Sequence, residues 1–282
     1  MPANPIRIVA RLGAAAALAL AATLPAPAAT RAEADRLFDA VGLPGMLEIM
    51  HDEGVDYGLD LEADLFPGQG GAAWRRLVEG IYDTDAMRGV VSDRFAALLA
   101  DTDVTPLLAF FDGDLGRRIV RLELEARRAM LDEDLEAAAY EALDMQRDEG
   151  DPRLDLLDDF VAANDLVEDN VAGALNASYA FYAALVEGGG GEAVDEGQIL
   201  SDVWAQEPEI RADTLDWVYA FLSLAYRPLS DDELRRYTEL SRSEAGRDLN
   251  RALFGAFDRM YVGLSRTLGL AAARFLSQGQ DL

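Results

Sequence analysis

Residues Leu249–Leu268 read LNRALFGAFDRMYVGLSRTL. Leu249, Leu253, Phe257, Met260, Tyr261, Leu264 and Leu268 recur at steps of three and four, which lays one apolar stripe along a long helix. Ile119, Leu122, Ala126, Ala129 and Met130 repeat the pattern earlier in the chain. Leu157, Phe160, Val161, Leu175, Tyr179 and Tyr182 extend it after Pro152. Strand-like alternation is scarce and β-branched residues are few, so the predicted fold class is all-α, a duplicated helical bundle of two similar units.

The duplication is read from the chain itself. A shift of 130 residues aligns Asp39 with Asp169, Trp74 with Trp204, and Asp83-Thr84 with Asp213-Thr214. The same shift aligns Gly116-Arg117 with Gly246-Arg247, and Arg121, Ala126 and Met130 with Arg251, Ala256 and Met260. The register runs without a gap from Trp74 to Met130. Shared Trp and Gly in one register mark a repeat, and a repeat decides the architecture. The expected units are 29–150 and 151–282, each burying an apolar face against the other. Trp74, Gly116, Arg117, Trp204, Gly246 and Arg247 are the repeat positions, read as structural before functional. The shared glycine precedes a helix where close contact would exclude a side chain. The shared arginine suits a carboxylate pair or a solvated helix face.

Local punctuation agrees with helices. Ser230-Asp231-Asp232-Glu233 reads as a capping box. Thr84 and Thr214 are expected N-caps. Pro67–Gly71 and Gly188–Gly191 read as connectors. Residues 1–28 read as a signal peptide: Arg7 and Arg11, an apolar run from Leu12 to Leu24, then Ala26-Pro27-Ala28. The expected compartment is the periplasm, with no second apolar run of spanning length.

Composition excludes several chemistries. The chain carries 52 acidic and 25 basic residues, a formal charge of −27, and every base is arginine. Such a surface repels phosphate backbones and anionic lipid heads, which argues against nucleic acid as a partner. There is no cysteine, so disulfides, thiolate metal sites and cysteine nucleophiles are ruled out.

Glu233-Leu234 followed by Leu240-Ser241-Arg242-Ser243-Glu244-Ala245-Gly246-Arg247 resembles the signature of an exported bacterial family known as domain of unknown function 2059. Phe110–Arg117 resembles it in the first half, with Gly113 in place of the serine and Tyr237 at the aromatic position of the second. The resemblance implies an all-helical exported protein and brings no activity with it. Two tandem copies depart from the expected single copy.

Candidate chemistry is thin. Asp112, Asp114, Gly116 and Glu123 match positions 1, 3, 5 and 12 of a calcium loop, but Arg117 stands where the loop needs glycine, Arg118 follows it, and Gly116 has no side-chain ligand. His51 is the sole histidine and cannot make a two-histidine metal set. Its expected role is near a helix end before Gly54. Acid pairs are too common to be diagnostic. The expected catalytic, cofactor and metal residues are therefore none. The expected function is a non-enzymatic binding or interaction module that takes an envelope protein or an apolar ligand in a cleft between the halves. The alternative is a cell-wall glycan hydrolase using paired carboxylates.

Overall fold

The computed structural model describes residues 29–190 and 194–280. The signal peptide expected over 1–28 and the end of the glycine tract at Gly191 lie outside the described residues. Among these residues the chain is all-α, with no strand and with thirteen helices. They are α1 (Arg31–Ala40), α2 (Leu43–Leu65), α3 (Gly71–Ile81), α4 (Thr84–Leu98), α5 (Thr105–Phe111), α6 (Asp114–Ala129) and α7 (Glu133–Glu149), then α8 (Arg153–Ala163), α9 (Leu166–Glu187), α10 (Glu196–Trp204), α11 (Glu207–Tyr226), α12 (Asp231–Arg242) and α13 (Glu244–Gln280). Among the described residues no helix is long and apolar enough to cross a membrane.

Caps set many of the boundaries. Ser230 and Glu233 form the predicted box at α12, and Thr30 with Glu33 forms a second one at α1. Gly150 ends α7 in the left-handed conformation at φ 64°. The expected N-cap at Thr84 moves back one residue, because the Asp83 carboxylate accepts from the Ala86 N–H. Thr214 caps nothing. It lies inside α11, which begins earlier with Pro208 in its first turn. Gly54 does not end its helix either. It sits inside α2, where a Cβ would strike the Tyr82 ring, so α3 and the turn after it approach α2 closely.

Two large cores organise these helices. The first is built by α1 to α5, through residues such as Phe38, Leu47, Trp74, Phe95 and Leu107, and by Leu249, Ala252, Ala256, Met260 and Leu268 of α13. The second is built by α8 to α12, through Leu157, Phe160, Leu222, Tyr226 and Leu234, and by Ile119 and Ala126 of α6. Each core is thus completed by a helix from the other half: α13 packs on α4, and α6 packs on α11. The apolar stripes that announced these two helices face across the molecule. A lone half of the chain would leave one core open, with α13 keeping its packing on α9.

Candidate site at the crossing of the two cores

The turns before α6 and α13 have the same construction. Gly113 and Ser243 share an extended backbone, at φ −77°, ψ 166° and φ −68°, ψ 163°. Ser243 Oγ accepts from the Gly246 N–H at 3.0 Å, a cap that Gly113 cannot provide. A Cβ on Gly116 would lie 2.5 Å from Phe111 Cα, and one on Gly246 would lie 2.9 Å from Ser241 Cα. Arg117 donates through Nη1 to the Asp112 carbonyl, and Arg247 donates likewise to the Arg242 carbonyl. The shared glycine therefore lets the next helix fold back against the preceding one. The shared arginine closes the turn at the surface and holds no distant carboxylate.

Cross-links between the halves start from matched positions on α6 and α13. Arg118 of α6 pairs with Glu233 at the start of α12 at 2.8 Å. Asp248 of α13, 130 positions on, accepts from Thr102 Oγ1 at 2.9 Å, just ahead of α5. The tryptophan pair departs from equivalence. Trp74 is fully buried and donates to the Gly58 carbonyl at 2.6 Å, whereas Trp204 is 65% exposed at the end of α10. Its helix is followed after two residues by Pro208 and α11, so no element covers the ring.

Between α6 and α13, beside α8, α11 and α12, lies a cavity of about 250 Å³. Phe111 reaches it from the first core, Phe160, Tyr226 and Tyr237 from the second, and Phe254 and Phe257 from α13. Gly246 also lines it, the one repeat position that does. The wall is almost wholly apolar, with a single carboxylate, Glu123 of α6. Tyr226 donates to Glu123 Oε1 at 2.6 Å, and the Tyr237 phenol faces the same carboxylate. Burial pushes the Glu123 carboxyl up to about 7, with the two phenols pulling it partly back. Burial and the neighbouring carboxylate hold both phenols well above their ordinary range, so they remain donors.

Each remaining polar side chain of the pocket makes a bond to backbone. Asn164 Nδ2 donates to the Phe160 carbonyl at 2.9 Å, and Asn250 Nδ2 donates to the Asn164 carbonyl at 2.7 Å. Ser241 Oγ donates to the Tyr237 carbonyl at 3.2 Å. Each of these bonds ties a pocket side chain to backbone, which fixes the shape of the wall.

The other sequence candidates lie apart. Asp112 pairs with Arg36 and Asp114 with Arg117, while Glu123 turns to the phenols, so the calcium spacing does not converge. Among the described residues no group of three or more His, Asp or Glu side chains has metal-binding geometry. His51 lies mid-way along α2, and its Nδ1 stands 2.7 Å from the Tyr82 carbonyl. That bond ties α2 to the end of α3. Arg127, one turn beyond Glu123, pairs with Glu53 of α2 at 2.7 Å and stacks 4.5 Å over the Trp217 ring. It links α2, α6 and α11 beside the pocket.

One signal for Glu123 was present in the sequence. It lies four residues after Ile119 and three before Ala126, on the apolar stripe of α6, where a carboxylate is out of place. No family model, curated protein or solved structure matches the chain.

Proposed function

We propose that this chain is an exported, non-enzymatic binding module made of two duplicated helical units, and that the cavity around Glu123 receives a small, largely apolar ligand. The duplication is supported by the matched turns at Gly116 and Gly246 and by the reciprocal placement of α6 and α13. One observation carries the binding reading: a titratable carboxylate is held inside an aromatic cavity where a packed hydrophobic core would serve stability better. Cavities of this kind, apolar with a few fixed polar groups at a boundary between units, are the ordinary form of small-molecule sites. Periplasmic location is proposed from the N-terminal sequence alone.

The paired-carboxylate hydrolase needs two acids in one groove. Asp169 and Asp258 border the same groove between α9 and α13, and burial together with Asp165 and Glu168 raises the Asp169 carboxyl. Asp258 there accepts from Asn176 Nδ2 at 2.9 Å.

The test is a fragment screen on the purified protein by methyl NMR. Small apolar fragments are expected to shift Leu240, Leu249 and Leu253, and a Ser241→Phe variant, which fills the cavity, is expected to lose those shifts. Shifts scattered over the surface and unchanged by the filling variant would refute the pocket. Soluble glycan released from purified cell wall, and lost in Asp169→Asn, would favour the hydrolase instead.

A further inference from the structure

The walls of the cavity offer more acceptors than free donors, and one acceptor is a carboxylate. Both phenols that face Glu123 are turned to its carboxylate, and Ser241 is bonded to backbone. Asn164 and Asn250 each use one amide N–H on a backbone carbonyl, which leaves each a second N–H and its side-chain oxygen as an acceptor. Glu123 accepts one phenol at Oε1 and has lone pairs to spare.

The carboxylate also lacks a cationic neighbour among the described residues. Of the arginines of its own helix, Arg117, Arg118, Arg121 and Arg127 pair elsewhere, with Asp114, Glu233, Glu125 and Glu53. The titratable groups that face it are Tyr226 from α11 and Tyr237 from α12. From α13 and the α8–α9 turn come the neutral amides Asn250 and Asn164, and from α5 and α8 come phenylalanines. A buried carboxylate in such a place has two stable states, one with a proton and one with a cation beside it. Aromatic faces around it stabilise a cation further. The charge of −27 raises the concentration of cations near the molecule.

We infer that the pocket takes a small organic cation, an ammonium on a compact aromatic or aliphatic body, with Glu123 as its counter-ion. This rests on the reading of the cavity as a binding site. The ammonium replaces the proton on Glu123, donates to the carboxylate and to the asparagine oxygens, and lies against the aromatic walls. The body fills the apolar remainder of about 250 Å³. An anion would meet the Glu123 carboxylate with no lining cation to balance it, and a neutral ligand gains only one weaker hydrogen bond.

The experiment uses four probes of one shape: benzylamine, benzyl alcohol, toluene and benzoate. Each is titrated by NMR into the intact protein at pH 8 and at pH 5.5. Benzylamine, cationic at both values, is expected to bind at pH 8 about tenfold or more tighter than benzyl alcohol. Because it must displace the Glu123 proton, its affinity is expected to fall roughly tenfold per pH unit below about 7. Glu123→Gln is expected to erase the preference for the amine while toluene still binds. The pH dependence of the unaltered protein gives the same answer if that variant does not fold. Equal or tighter binding of benzyl alcohol or toluene, without pH dependence, overturns the cation and leaves the pocket standing. Benzoate binding best at pH 5.5 also overturns the cation. Binding by none of the four at Leu240, Leu249 and Leu253 overturns both the cation and the pocket.

Discussion

Trp74→Ala is expected to lower the stability of the protein by about 3–5 kcal/mol, read as a shift of the urea midpoint. The indole is fully buried, meets Phe66 and Phe275 edge to face at 4.9 and 5.2 Å, and donates to the Gly58 carbonyl at 2.6 Å. Phe275 belongs to α13, so the ring also fastens the exchanged helix to the first core. Removing it leaves a cavity lined by rigid aromatic rings, which have little freedom to close in. The same change at its sequence partner, Trp204→Ala, is expected to stay within about 0.5 kcal/mol, because that ring is exposed. A comparable loss at both positions would show that the second tryptophan is covered, and would contradict the packing described for α10.

Gly246→Ala is the second large effect. Helix propensity alone favours alanine by about 0.5–1 kcal/mol. Here the added methyl meets backbone, with the Leu240 carbonyl group and Ser241 Cα all within 3.0 Å, and backbone has no rotamer through which to yield. The clash outweighs propensity, and a loss of about 3 kcal/mol is expected. Gly116→Ala is expected to act in the same direction, since Phe110 and Phe111 occupy the equivalent places. Gly263, on the same α13 helix, has nothing within 4 Å of a Cβ. Gly263→Ala is therefore expected to stabilise by about 0.5–1 kcal/mol. If all three alanines stabilise, the turns ahead of α6 and α13 are looser than described.

The fold class was legible because it depends on local pattern. The stripe from Leu249 to Leu268 lies in a single helix, and the Ser230 capping box needs only four consecutive residues. The shift of 130 residues led to Gly116, Gly246, Arg117 and Arg247, whose contacts are also local, within six residues. It said nothing of which core each helix completes. The stripe on α6 is as apolar facing α11 as it would be facing α2, so the crossing is a property of the assembled molecule. Trp204 misled for a related reason: identity at a repeat position does not carry burial with it when the next helix leaves differently.

The candidate site was harder to read, since it joins residues far apart in the chain. Tyr226 is 103 residues from the carboxylate it bonds. In the sequence Glu123 is one of 52 acids, and it drew notice only as the last position of a poor calcium spacing. Its place on the apolar face of α6 was the available sign. The two phenols that give that place chemical meaning come from helices in the other half.

The most direct test of this account is the titration of Glu123 itself, followed by the carboxyl carbon resonance in labelled protein between pH 3 and pH 9. The sign is fixed by burial. A carboxyl raised in the folded state favours folding while it holds its proton. That contribution is complete below the ordinary value of 4.5 and is lost as pH rises through the folded value. The midpoint is expected at about 7, and it moves down when benzylamine is added. A midpoint near 4.5, indifferent to the amine, would place the carboxylate in water and remove the pocket on which the proposed function depends.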